Sequence, residues 1–174
     1  KVLPSLTFVL GGAASGKSLV AENIIYNSDL QLVYVATSRI FDDEMQTKIN
    51  THIARRDARW TTISVEKDIP EVLVKLTNNQ AVLIDCVTMW LTNIILDGDD
   101  VDLAQSNFLR ALTASSASLV VVSNEVGQGI VPDNALSRQF REAQGRLNIA
   151  LAARADCVIH VVAGLSHVLK GPNQ

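Results

Sequence analysis

The sequence predicts an α/β domain in which helices flank a mostly parallel β-sheet. Short apolar runs, rich in Val, Ile and Leu, alternate along the chain with longer segments that have a helical period. Nearly continuous apolar runs are typical of strands that are covered on both faces, as in a parallel sheet. The chain has 174 residues, of which 48% are hydrophobic, and this is enough apolar material for one core. We therefore predict that residues 1–174 form a single domain.

The alternation assigns each strand and helix in turn. The predicted strands are Leu6–Leu10, Leu32–Ala36, Ala81–Cys86, Leu119–Ser123 and Cys157–Val162. The predicted helices are Gly16–Tyr26, Asp43–Arg56, Ile69–Thr77, Thr88–Leu96, Leu103–Ala114 and Asn134–Arg154. The last helix has the clearest pattern, because apolar residues from Leu136 to Leu151 recur at spacings of three and four. Pro132 and Asn134 suit the entry to this helix.

The charge balance argues against a protein that binds a long phosphate backbone or an anionic membrane surface. Fifteen Lys and Arg against eighteen Asp and Glu give a formal net charge of −3. No apolar run approaches the roughly 20 residues of a membrane span. Cys86 and Cys157 lie in apolar runs, which is typical of buried thiols in a reducing compartment. The first residues lack the layout of a signal peptide, so we expect a cytoplasmic protein.

A phosphate-binding loop is the strongest motif in the sequence. It matches the pattern G-x-x-x-x-G-K-[ST], follows a predicted strand directly and precedes a predicted helix. Its residues are Gly11, Gly12, Ala13, Ala14, Ser15, Gly16, Lys17 and Ser18. The backbone N–H groups of such a loop bind phosphates, Lys17 would reach the β- and γ-phosphates, and Ser18 would ligate Mg²⁺. The sequence therefore predicts a P-loop NTPase-like domain that binds a nucleoside triphosphate.

A second acidic group belongs to this chemistry. Asp85 ends a predicted strand and suits a carboxylate that holds Mg²⁺ through water, although a strand-end cap is the alternative. Asn124 and Glu125 end another strand, at the sheet edge where ligands of α/β proteins bind. The sequence lacks a convincing N-K-x-D guanine-reading motif, which counts against a switch GTPase.

The predicted helix Asp43–Arg56 carries a candidate nucleophile, His52. Met45, Ile49, Ile53 and Arg56 share one side of this helix, and His52 lies beside them. A neutral imidazole nitrogen can attack phosphorus, and the neighbouring cations would attract a triphosphate. The residues alone favour a plainer interpretation, a surface histidine on a basic helix.

Several blocks, in order, resemble one enzyme family. They are the loop Gly11–Ser18, then Tyr34-Val35-Ala36-Thr37-Ser38, Asp42-Asp43-Glu44-Met45 with His52 and Arg56, Trp60, Asp85-Cys86-Val87-Thr88-Met89-Trp90-Leu91-Thr92-Asn93, Ser123-Asn124-Glu125-Val126-Gly127-Gln128-Gly129-Ile130-Val131-Pro132-Asp133-Asn134, Phe140-Arg141, Gly145-Arg146-Leu147-Asn148 and Ala163-Gly164-Leu165. Across nearly the whole chain, the sequence resembles the bifunctional adenosylcobinamide kinase / adenosylcobinamide-phosphate guanylyltransferase family of cobalamin biosynthesis.

The resemblance implies two reactions with ATP and GTP as substrates and Mg²⁺ as cofactor. The enzyme would phosphorylate adenosylcobinamide, then transfer GMP from GTP through a guanylyl-histidine to adenosylcobinamide-phosphate. The family histidine matches His52, and the family's nucleotide contacts fall on Gly11–Ser18, Ala36, Thr37, Ser38, Ile53, Ala54, Arg55, Arg56 and Asp85. A homotrimer is also implied. The alternatives are a P-loop kinase of another small-molecule alcohol and, less favoured, a nucleotide-dependent switch.

Some positions depart from the family pattern, and others keep two interpretations. The family often has Arg where Ala14 stands, and it has Glu where Ser64 stands, with Glu66 two residues later. Trp60 and Trp90 suit buried aromatics better than stacking platforms. His160 suits a structural role, and the partner of His167 is not evident. Arg138, Arg141 and Arg146 suit either a solvated helix face or a phosphate contact. The loop from Val126 to Asp133 suits either a structural role or closure over substrate.

Overall fold

A computed structural model describes residues 2–40, 42–54 and 56–171. Within these ranges seven strands form one sheet, in the order β3-β2-β4-β5-β1-β6-β7. The strands are β1 (Leu6–Gly11), β2 (Gln31–Ala36), β3 (Trp60–Ser64), β4 (Gln80–Asp85), β5 (Ser118–Asn124), β6 (Cys157–Val162) and β7 (Leu165–Lys170). The helices are α1 (Lys17–Tyr26), α2 (Asp43–Ala54), α3 (Ile69–Leu73), α4 (Val87–Leu96), α5 (Val101–Ala114) and α6 (Ala135–Arg154).

The predicted mostly parallel sheet is confirmed. Strands β1 to β6 pair in parallel, and β7 returns antiparallel along β6. Successive residues of the central strands enter opposite cores: Phe8 packs with α4, α5 and α6, whereas Val9 packs with α1 on the other face. This burial on both faces explains the continuous apolar runs of the sequence.

Two strands were missed by the sequence prediction, and both lie at sheet edges. Strand β3 has the sequence WTTIS and buries none of its residues fully, and β7 is exposed along most of its length. An edge strand has less to bury than a central one, so neither segment shows the apolar run used to find strands. Two helix ends were also wrong. Helix α2 ends at Ala54 rather than Arg56, and α3 ends at Leu73 rather than Thr77 because tighter turns follow it.

Helix α2 differs from the other long helices because none of its residues is buried. Helix α4, by contrast, buries six residues, among them Trp90 and Leu91. The apolar side of α2, formed by Met45, Ile49 and Ile53, faces a cavity at the carboxyl ends of the strands instead of the core. The amphipathic pattern of this helix therefore reflects its contact with the cavity and not with the core. Across the described parts of the chain, no helix combines the length and apolarity that crossing a membrane requires.

Candidate nucleotide-binding and transfer site

The loop between β1 and α1 has the backbone shape that its glycines predict. Gly16 has a φ of 91° and caps the N-terminus of α1, a conformation that favours glycine. Ala14 also adopts a positive φ, 54°, without being glycine. The amine of Lys17 folds back and donates a hydrogen bond of 3.0 Å to the Gly12 carbonyl. Lys17 therefore lies against the loop whose N–H groups would bind phosphate.

The turn between β6 and β7 holds this loop from outside. The N–H of Gly164 donates to the Ser15 carbonyl at 2.7 Å. A Cβ on Gly16 would lie 3.1 Å from the Gly164 Cα. Ala163-Gly164 belongs to a block of the family resemblance, but no local signal in the sequence connects it with the loop. Two glycines far apart in the sequence therefore allow the loop and the turn to approach closely.

We expect Gly11→Ala to weaken nucleotide binding at least about tenfold and to cost roughly 1–3 kcal/mol of stability. The added Cβ would lie 2.5 Å from Ser15 Oγ and 2.7 Å from the backbone oxygen of Val161, which has little freedom to move. Titration with a fluorescent GTP analogue and urea unfolding measure the two effects. Gly145→Ala is the matched control, since a Cβ there meets nothing within 4 Å. Unchanged binding by Gly11→Ala would refute the close packing under the loop.

A cavity of about 310 Å³ opens between α1, α2 and the carboxyl ends of β2, β3 and β4. It brings together seven of the predicted site residues. They are Ser18, Ala36, Ser38, His52, Ile53, Arg56 and Asp85. The remaining lining residues are Tyr34, Ile40, Met45, Lys48, Ile49, Thr62, Ser64 and Cys86. The predicted contacts Thr37 and Ala54 do not line it, residues 11–17 form the loop beside Ser18, and Arg55 lies outside the described residues.

The sheet register explains why Asp85 meets the end of β2. Ala36 pairs with Asp85, and the Tyr34 hydroxyl donates a hydrogen bond of 2.9 Å to Asp85 Oδ2. Burial, reinforced by the Asp85 carboxylate, raises the pKa of Tyr34 above its usual range. Tyr34 therefore stays protonated and remains a donor to Asp85. The sequence prediction missed Tyr34, which lies within an apolar strand and resembles an ordinary core aromatic.

Arg56 closes one wall of the cavity. Its guanidinium carbon lies 3.3 Å from the centroid of the Tyr34 ring and 5.7 Å from that of the Trp60 ring. Stacking on an aromatic face fixes the planar guanidinium of Arg56. The hydroxyl of the same Tyr34 side chain donates its hydrogen bond to the Asp85 carboxylate. The arrangement provides a positively charged group beside His52 for an anionic ligand.

Thr37 supports Asp85 rather than facing the cavity. Its side chain is fully buried, its hydroxyl donates to the Cys86 carbonyl at 2.7 Å, and it accepts from the Cys86 N–H at 3.1 Å. Asn93 in turn donates to the Thr37 carbonyl at 2.8 Å. These bonds tie the end of β2 to the residue after Asp85, so Thr37 fixes the position of that carboxylate.

Ser64 and Glu66, the two candidates for the family's glutamate position, lie in different surroundings. The Ser64 side of β3 lines the cavity, whereas Glu66 accepts a hydrogen bond of 2.6 Å from Arg39 away from it. Arg39 also forms an ion pair with Asp97. Ser64 therefore stands in the cavity where the family pattern has Glu, and Glu66 does not replace that residue there.

The remaining candidates lie outside the cavity. Trp90 is buried against Phe108, as expected, and the half-buried Trp60 packs edge-on against Tyr34. His160 contacts Glu125 through Nε2 at 3.0 Å, which fits a structural histidine. Two arginines of α6 bind the preceding loop: Arg138 donates to the carbonyls of Pro132 and Asp133, and Arg141 donates to those of Gly127, Gly129 and Ile130. Arg146 forms an ion pair with Glu142 on the same helix. These bonds favour the structural interpretation of the loop.

The donors in the cavity suit magnesium. Ser18 contributes a hydroxyl and Asp85 a carboxylate, the hard oxygen ligands that Mg²⁺ prefers. Among the described residues no group of three or more His, Cys, Asp and Glu side chains is arranged to hold a metal by itself. This sparse set fits Mg²⁺, which commonly takes one or two protein ligands and completes its shell with water and substrate phosphates.

The fold is similar to those of two solved structures. It matches the structure of PH0250 from Pyrococcus horikoshii OT3, with a TM-score of 0.57 and 12% identity over 99% of this chain and 90% of that one. A prototypical ATPase from the type III secretion system of pathogenic bacteria gives a TM-score of 0.58 and 11% identity, over 95% of this chain and 57% of that one. At such identities the likeness concerns the fold alone, and the predicted fold class is confirmed.

The sequence relatives are much closer. The bifunctional adenosylcobalamin biosynthesis protein CobP of Pseudomonas aeruginosa is 39% identical over 94% of this chain and 96% of its own length. The bifunctional adenosylcobalamin biosynthesis protein CobU of Escherichia coli is 38% identical over 95% of this chain and 99% of its own. The family model described as cobinamide kinase / cobinamide phosphate guanyltransferase matches residues 7–169. This chain therefore belongs to the cobinamide kinase / cobinamide phosphate guanyltransferase family.

Proposed function

We propose that this chain catalyses both reactions named for its family, within one domain over residues 1–174. It phosphorylates adenosylcobinamide with a nucleoside triphosphate, then transfers GMP from GTP to adenosylcobinamide-phosphate. The observation that carries the proposal is the single cavity shared by Ser18, His52 and Asp85. A kinase needs only Ser18 and Asp85 of these three residues. The presence of His52 in the same cavity supports a second, covalent transfer.

In the kinase step, the hydroxyl oxygen of the aminopropanol arm forms a bond to the γ-phosphorus of the triphosphate. The bond between that phosphorus and the β,γ-bridging oxygen breaks, the nucleoside diphosphate leaves, and the hydroxyl proton passes to solvent. Lys17 moves from the Gly12 carbonyl to the phosphates, and with the loop N–H groups it stabilises the charge on the transferred group. Ser18 and Asp85 would hold Mg²⁺, which supplies charge neutralisation between the phosphates when bound.

In the guanylyl step, His52 attacks the α-phosphorus of GTP, and pyrophosphate leaves. A phosphate oxygen of adenosylcobinamide-phosphate then displaces the histidine, which yields adenosylcobinamide-GDP and regenerates the imidazole. Splitting the transfer in this way lets one loop serve two displacements. Arg56, fixed on the Tyr34 ring, is positioned to neutralise charge on the reacting phosphates.

We expect GTP radiolabelled on its α-phosphate to give acid-labile, alkali-stable label on the wild-type protein. His52→Ala should reduce this label to background while retaining the phosphorylation of adenosylcobinamide, because the kinase step does not use the imidazole. His167→Ala is the matched control, since it removes an exposed histidine that does not line the cavity.

Two outcomes would contradict this proposal. Equal labelling of His52→Ala and wild type would place the covalent bond elsewhere. Phosphorylation of a small alcohol without any protein label would favour a simple P-loop kinase instead.

We also infer that the protein acts as a homotrimer in the cytoplasm, as the family resemblance implies. Helix α2 supports an intersubunit role, because it buries none of its residues within the chain and Ile53 is 46% exposed. A neighbouring subunit could cover this helix and complete the wall of the cavity.

A further inference from the structure

We propose that Glu22 is a positioning residue for His52, an inference that rests on the proposed guanylyl transfer. Glu22 lies on α1 one turn after Ser18, so both side chains project from the same side of the P-loop helix. Its Oε1 atom lies 3.8 Å from His52 Nδ1 on α2. Glu22 therefore links the helix that would bind the phosphates to the helix that carries the nucleophile.

The burial of the two atoms determines which ring nitrogen can react. The side chain of His52 is 40% exposed, yet its Nδ1 atom is buried, as is Glu22 Oε1. The exposed part of the imidazole is thus the opposite edge, which carries Nε2. With Nδ1 directed at a carboxylate, the proton resides on Nδ1 and the lone pair on Nε2. The geometry points to Nε2 as the atom that attacks GTP.

The separation of 3.8 Å is longer than a hydrogen bond and suits a contact that tightens during reaction. Catalytic contacts are often long without substrate and shorten as charge develops. A shift of about 1 Å in either side chain would bring the pair within hydrogen-bond distance. Because α2 has no buried residue to anchor it in the core, such a shift costs little packing within the chain.

The carboxylate of Glu22 suits a cationic intermediate on His52. Glu22 is only 16% exposed, so water screens its charge poorly and its attraction to a nearby cation is strong. When Nε2 bonds to the α-phosphorus and the bond to pyrophosphate breaks, the ring keeps its Nδ1 proton and becomes cationic. Glu22 stabilises this cation, and the charge disappears when the Nε2–P bond electrons return to the ring.

The test compares protein labelling and kinase turnover in Glu22→Ala, Glu22→Gln and the control Asn23→Ala. Asn23 is the exposed neighbour of Glu22 on α1 and does not line the cavity. We expect Glu22→Ala to slow labelling by α-labelled GTP roughly 10–100-fold, while adenosylcobinamide phosphorylation stays within about twofold of wild type. Glu22→Gln keeps an acceptor oxygen and should recover part of the rate. Degradation of labelled wild-type protein to phosphohistidine should give the Nε2 isomer.

Each other result has a definite meaning. If Glu22→Ala labels at the wild-type rate, or if the wild-type isomer is Nδ1, the positioning role is wrong and the proposed function stands. If Glu22→Ala loses kinase turnover together with labelling, Glu22 serves the fold or the phosphate site and not His52. If wild-type protein takes up no label, the covalent step fails and this inference fails with it.

Discussion

Lys17→Ala should lower the rates of both the kinase and guanylyltransferase reactions about 10²–10³-fold without changing the melting temperature. The amine donates a hydrogen bond to the Gly12 carbonyl within its own loop, so its removal takes away little native structure. In the reaction it is the one side-chain cation of the phosphate-binding loop, and the loss of one such preorganised donor costs that much in rate. Coupled assays of nucleoside diphosphate and pyrophosphate release, with thermal unfolding, measure the three quantities.

The contrast with His52 gives this prediction its discriminating power. One shared phosphate loop requires that Lys17→Ala impair both reactions, whereas His52→Ala should impair only one. Lys75→Ala, at an exposed position after α3, is the control for removal of a positive charge. If Lys17→Ala left guanylyl transfer intact, the two reactions would have to use separate nucleotide sites.

Trp90→Ala should reduce the free energy of unfolding by about 3–5 kcal/mol, the largest stability effect that we expect in this chain. Trp90 is 1% exposed, its ring centroid lies 4.8 Å from that of Phe108, and its Nε1 donates to the Lys67 carbonyl at 2.8 Å. Truncation opens a cavity between α4 and α5 and removes one donor from that carbonyl, which keeps its bond from the Ile69 N–H. Urea unfolding followed by circular dichroism measures the loss.

Two companion variants separate the causes of this loss. Trp90→Phe keeps an aromatic ring but removes the donor, so it should cost less, about 1–3 kcal/mol. Trp60→Ala removes a half-buried tryptophan from the edge strand β3 and should destabilise less than Trp90→Ala. Equal losses at the two tryptophans would mean that burial in the α4–α5 core does not dominate the stability.

The parts of the site that could be predicted are those encoded by local pattern. Gly11 to Ser18 forms a loop whose shape depends on its own glycines, and the strand before it is marked by burial on both faces. Asp85 could be expected near that loop because the ends of parallel strands share one edge of the sheet. The position of His52 over this edge followed from the family resemblance and not from its helical spacing.

The parts that escaped prediction depend on contacts between distant segments. Tyr34 orients Asp85 through a register that pairs β2 with β4, and no local signal distinguishes it from a core aromatic. Thr62 and Ser64 reach the cavity from β3. This edge strand was not predicted, because its polar residues do not form an apolar run. Glu22 resembles any helix-surface glutamate until α2 is placed beside α1.

The contact between Gly164 and the P-loop has a consequence for how the protein is made. The Ser15 carbonyl receives its hydrogen bond from Gly164, a residue that is synthesised long after it. Contacts between such distant residues form late, because most of the intervening chain must be in place first. A ribosome-bound chain that stops before residue 163 already contains every P-loop residue but lacks this clamp. We therefore expect the loop to gain its full rigidity only after β6 and β7 have been synthesised and have joined the sheet.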